Sequence, residues 1–183
     1  MKLASRSDGR APLRVLAQLL DAEPTCPVSA RPGTGADVDS AAVRLGDGAE
    51  LFSRAVTRLT SWEMHRRAGL RVWPAAETAE LGSDVVLGYE MGPVRFFAPC
   101  RVAYVVDSPR RKGFGYVTLP GHPEVGVEEF VMDHHDDDAV WFSVRAVSRP
   151  ASLLTKIGAP IGRRVQRRVT GRYLTAMAAD ARP

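Results

Sequence analysis

The chain has 183 residues, 45% of them hydrophobic, which suits one domain around one core and is too short for two comfortable ones. Its net charge of +4 is carried almost wholly by Arg, with Lys only at 2, 112 and 156, so the basic balance reads as compositional bias before it reads as a nucleic-acid footprint. Cys26 and Cys100 stand far apart without a CxxC pair, which argues against a zinc site or a disulfide scaffold and suits a reducing, cytoplasmic setting.

Residues 1–40 read as an N-terminal extension and 41–183 as the domain. Leu13, Leu16, Leu19 and Leu20 fall at helical spacing before Pro24, predicting a short amphipathic helix packed on the outside of the domain. Arg14 and Gln18 interrupt that run, so neither a signal peptide nor a membrane span is expected. The Pro- and Gly-rich stretch that follows reads as a surface loop.

A first strand is predicted over 41–45, followed by two short helices. Asp47 and Glu50 have the spacing of a capping box for the first helix, whose face carries Phe52, Val56 and Leu59. Ser61 is the expected cap of the second, residues 62–67, and Gly69 its left-handed stop.

Six strands in meander order then follow, over 70–73, 85–91, 94–106, 112–119, 125–134 and 140–148. Alternation puts Val85, Leu87 and Tyr89 on one face, with Cys100, Val102, Tyr104 and Val106, and with Val140, Phe142, Val144 and Ala146. That face is apolar and the other is expected to be wet. The densest turn chemistry lies at Leu119-Pro120-Gly121-His122-Pro123, which closes a hairpin whose returning strand carries Glu128 and Glu129. Gly113 and Gly115 have no helix after them to offer amide donors, so they read as strand glycines that allow bending or close packing rather than as a phosphate loop.

From about 150 to 179 a long helix is predicted, with Leu154, Ile157, Ile161, Val165, Val169, Tyr173 and Met177 as its stripe and a kink or start near Pro160. Val102, Val144, Ile161, Val165 and Val169 are expected to share one core. Arg163, Arg164, Arg167, Arg168 and Arg172 lie mostly off the stripe; a solvated face is the simpler reading, and binding of anionic partners is the alternative.

Several side chains carry possible chemistry. Tyr89 and Tyr104 sit on the apolar face, where a phenol needs a partner or a cavity. His122 can cap its turn through the backbone or pair with Glu124 or Glu128 as an acid and base; the cap is the simpler reading. His134-His135-Asp136-Asp137-Asp138 falls at a hairpin turn, where adjacent side chains diverge, so it reads as a solvated turn and no metal is assigned.

The order of a strand, two helices, six antiparallel strands and a long helix resembles the START and pollen-allergen-like helix-grip fold, an α+β arrangement in which a curved sheet wraps the last helix. Trp62, Met64 and His65, then Gly113-Phe114-Gly115-Tyr116 and Thr118-Leu119-Pro120-Gly121-His122-Pro123-Glu124, are similar to an uncharacterised bacterial and plant family within that superfamily. The loop after Pro24 departs from the family pattern. The resemblance implies a cavity between sheet and helix that holds an apolar small molecule or lipid, or occasionally cyclase-type or hydrolytic chemistry, and supplies no catalytic residues; Tyr89, Tyr104, Tyr116, His65, Trp62, His122 and Glu128 are the ligand-binding candidates. No cofactor and no nucleic acid are expected; an enzyme acting on such a ligand, or a basic adaptor, is the alternative.

Overall fold

The structure, a computed structural model, describes residues 16, 18, 19, 22–27, 37–91, 94–151 and 159–179. The chain runs β1 (Asp37–Asp47), α1 (Ala49–Thr60), α2 (Glu63–Arg67), β2 (Arg71–Pro74), β3 (Asp84–Met91), β4 (Val94–Ser108), β5 (Arg111–Thr118), β6 (Glu124–His134), β7 (Ala139–Pro150) and α3 (Ala159–Ala178). The strands form one sheet in the order β1-β7-β6-β5-β4-β3-β2, antiparallel throughout. This is the predicted meander with the first strand laid along the last. β1 starts at Asp37, so the sheet takes in residues that the sequence reading gave to the linker.

Two predicted helix caps are not formed. Asp47 is still paired with Ala139 in the sheet and Glu50 turns forward to Arg54 at 2.6 Å, so α1 starts from Gly48 at φ 101 without a side-chain cap. Ser61 closes α1 instead of opening α2, and the residue before α2 is Trp62, held in the left-handed region at φ 64. The predicted turn glycines behave as expected, Gly69 at φ 85 and Gly121 at φ 95. α3 begins at Ala159, with Pro160 in the first turn, where its missing N–H breaks no helical hydrogen bond. Leu154, Ile157 and the side chain of Ile161 lie outside the described residues.

The concave face of the sheet carries the main core. Val85, Val102, Phe114, Phe130, Phe142 and Val144 are buried against Phe52, Ala55 and Leu59 of α1 and against Tyr173, Ala176 and Met177 of α3. Val169 packs on this core as predicted. Val165 is only half-buried and is not part of it; among the described side chains of α3, the buried ones run from Thr170 to Met177 in its C-terminal half.

The opposite face is drier than alternation predicted. Val86 is buried there under Leu19 and Leu119, with Leu16, Trp73 and Phe97 around them, and Val117 and Val131 are almost fully buried. Leu16 and Leu19 thus cover the outside of the sheet as their spacing suggested. Arg101 fastens this segment: its guanidinium holds both oxygens of the buried Asp84, at 2.6 and 3.0 Å, and donates to the carbonyls of Ala22 at 2.9 Å and Leu19 at 2.8 Å.

Replacing Arg101 by Met removes the cation from a buried carboxylate, which is far more damaging than losing an exposed ion pair. Arg101→Met is expected to cost about 3 kcal/mol in denaturant unfolding and to expose residues 16–27 to protease. An equally stable, protease-resistant variant would show that the segment is held by its leucines alone.

Candidate functional site

Strand pairing brings one polar row across the concave face: Asp39 of β1, Ala146 of β7, Glu128 of β6, Tyr116 of β5 and Val102 of β4 are successive partners. Within it the Tyr116 hydroxyl donates to Glu128 Oε2 at 2.6 Å. Tyr116 is buried while Glu128 is partly exposed, so the pair spans from the core to its rim.

Burial pushes the Glu128 carboxyl up to about 7, partly offset by the Tyr116 hydrogen bond and reinforced by the charges of Glu124 and Asp39. Burial and the Glu128 charge also raise Tyr116 and Tyr173, the latter lowered in part by its hydrogen bond with Tyr116. Cys100 is raised by burial and then by Glu128 and Asp84. Glu124, on the same side of β6, is raised by burial, lowered by a hydrogen bond from Ser148, and raised again by Asp37. A carboxyl that titrates near neutrality beside two phenols can hydrogen-bond a polar group and can take up or release a proton there.

Next to this pair lies His65. Its imidazole is fully buried and ringed by Trp62, Phe114, Tyr116, Phe130 and Tyr173, with centroids 5.1 to 6.3 Å away. Neither ring nitrogen, nor Nε1 of Trp62, has a hydrogen-bond partner among the described residues. Burial, then the charge of Arg66, lowers its pKa to about 3, so the ring is neutral at physiological pH. His65, named from the sequence as a ligand-binding candidate, is sealed between α2, the sheet and α3.

The other candidates lie apart. Tyr89 is half-buried against the edge of the main core. Tyr104 is on the opposite face from the one predicted: the register of β4 against β5 shifts between Val102 and Tyr104, and one extra residue inverts every side chain beyond it. There its hydroxyl donates to Glu129 at 3.0 Å and its ring lies where a Cβ on Gly115 would come within 2.2 Å. Gly113 is needed for the same kind of reason, since a Cβ there would meet the Phe130 carbonyl oxygen at 2.0 Å. His122 Nδ1 is 2.9 Å from the Glu124 amide, which donates to it, as the turn-cap reading expected.

His134 contacts Asp138 at 2.7 Å and stacks on Phe52, while His135 stacks on Trp141, so the histidine pair is used up in its turn. Arg164, Arg167 and Arg168 are exposed. Among the described residues no helix is long and apolar enough to cross a membrane.

Tyr173 and Asp39 join the site without having been singled out from the sequence, and Glu124, weighed there as a partner of His122, joins it as a neighbour of Glu128. A hydroxyl on the apolar stripe of the last helix was the available signal for Tyr173. Asp39 reaches the row through strand pairing, which leaves no local mark.

A family model described as "Domain of unknown function (DUF1990)" matches residues 22–176. A UPF0548 protein of Deinococcus radiodurans is 35% identical over 146 residues, covering 72% of this chain and 71% of that protein. A UPF0548 protein of Arabidopsis thaliana is 27% identical over 129 residues, covering 67% and 62%. Among solved structures, a hypothetical protein from Helicobacter pylori superposes with a TM-score of 0.63 at 11% identity, over 86% of this chain and 95% of that one. The major latex-like protein 151 of Panax ginseng gives 0.52 at 9% identity, over 81% and 99%. These likenesses establish the helix-grip fold alone. By the match across residues 22–176 and the kinship with the Deinococcus protein, the chain belongs to the DUF1990 family, whose function is unknown.

Proposed function

We propose that the protein is a soluble, cytoplasmic binding protein for a small, largely apolar molecule, seated on the concave face beneath α3 with its polar end at Tyr116 and Glu128. The observation that carries this reading is the Tyr116–Glu128 hydrogen bond of 2.6 Å, a carboxyl and a phenol placed on a face otherwise lined by Val102, Phe114 and Phe130. A binding site of this kind combines apolar walls with a few convergent polar groups. The helix-grip fold supports it, as a curved sheet facing a long helix. Tyr89, Trp62, His65 and Tyr173 complete the wall, whereas Tyr104 and His122 are left to structural roles.

The near-neutral pKa of Glu128 favours a second reading, in which the same pair moves a proton on the bound molecule. Turnover would then be lost in Glu128→Gln while binding remained.

Native mass spectrometry of gently purified protein is expected to show a small organic adduct, retained less well by Tyr116→Phe, which loses the hydroxyl and keeps the ring. Protein that carries no adduct and does not bind N-phenyl-1-naphthylamine, an uncharged fluorescent probe, would sink the binding reading.

The raised carboxyl also sets a pH dependence. An acid whose pKa rises from 4.5 to about 7 on folding holds its proton longer when folded, so its contribution to stability falls as pH rises through that window and stays low above it. Glu124 is shifted in the same direction. Glu128→Gln keeps an acceptor for Tyr116 and is expected to be more stable than the parent by roughly 1 to 3 kcal/mol at about pH 8, with the gap closing below about pH 4.5. Thermal unfolding across that range checks the sign. His122→Asn, whose amide oxygen can accept from Glu124, should stay within about 1 kcal/mol of the parent.

A further inference from the structure

Trp62 Nε1 and both nitrogens of His65 are buried without a hydrogen-bond partner among the described residues, all three from neighbouring positions around one short helix. Buried polar atoms are paired almost everywhere in folded proteins, because an unpaired one loses water and gains nothing. Packing does not ask for them: a phenylalanine would satisfy the five rings around His65 as well as an imidazole does. Trp62 adds strain, since its backbone sits at φ 64 and ψ 9, a conformation that bulky residues avoid and that recurs where a side chain is held in place for a ligand. The indole it aims is fully buried.

Resting on the binding reading above, we propose that Trp62 and His65 are the polar anchor of that site and take an uncharged group of the ligand that both donates and accepts, a carboxamide being the simplest. Its carbonyl accepts from the indole N–H, and its N–H donates to the unprotonated imidazole nitrogen. The ring of Tyr173, whose centroid is 5.1 Å from that of His65, must swing aside on α3 to admit it. A neutral imidazole offers one donor and one acceptor, and its apolar surroundings disfavour an ionic partner on either side. Carboxylates and amines are therefore selected against at this position, leaving charged ends to the rim near Glu128.

Three probes with one apolar body separate the possibilities: naphthalene, 2-naphthamide and 2-naphthoate. The parent protein is expected to bind 2-naphthamide at least about tenfold more tightly than naphthalene, roughly the return on one net hydrogen bond, and more tightly than 2-naphthoate. His65→Phe should erase that preference and raise the melting temperature by a few degrees, because an unpaired polar group has been removed. His65→Leu gives the same affinity readout if the larger ring overpacks. Naphthalene bound as well as the amide by the parent overturns the anchor and leaves the binding reading standing. No binding of any probe overturns both. A lower melting temperature in both His65 variants, with the amide preference intact, would mean that the imidazole serves the fold and not a ligand.

Discussion

The rings gathered around His65 hold the molecule together. Trp62 comes from the start of α2, Phe114 and Tyr116 from β5, Phe130 from β6 and Tyr173 from α3, and these rings and His65 meet edge to face, tilted or, for His65 on Phe114, stacked, at 5.1 to 6.3 Å. Aromatic side chains each bury large areas, and such pairings add to the burial itself. Elements distant in sequence are thereby pinned to one another: α3 cannot leave the sheet without uncovering Tyr173, and α2 cannot leave without uncovering Trp62 and Met64. Placing a neutral imidazole with no hydrogen bond at the centre of this cluster works against stability. The fold carries that cost in its best-packed region.

The carboxylates on the concave face exert a second tension. Glu128 and Glu124 lie on the same side of β6, and each is raised by burial and by acidic neighbours on that face. The Tyr116 hydroxyl relieves part of this by hydrogen-bonding Glu128. Apolar walls and a strained acidic rim leave the concave face with a polar end and a dry end, which is the polarity an amphipathic small molecule would match.

The outer face is governed by backbone rather than by polarity. A single register shift in β4 turns Tyr104 outward, where it covers Gly115 and reaches Glu129. Arg101 then ties the N-terminal segment over Val86 and Leu119 by way of Asp84. The segment whose leucine spacing predicted a helix on the outside of the domain is in this way part of the sheet's covering.

Periodicity and turn chemistry were enough to read the order of the elements, the meander, the hairpin at Gly121 and the long final helix, because those features depend on residues close together in the chain. Alternation also placed Val85, Val102 and Val144 on the inner face, since each strand between its irregularities keeps the two-residue period. The side of Tyr104 was not legible, because a bulge belongs to the pairing of two strands and has no signature within one. Nor were the caps at Asp47 and Ser61, where the local motif lost to sheet pairing in one case and to the end of the preceding helix in the other. Trp62 and His65 stood out by residue type, but their isolation from hydrogen-bond partners could be decided only by the tertiary structure. Burial and pairing are set by what five different elements bring to one point, and no stretch of sequence contains that point.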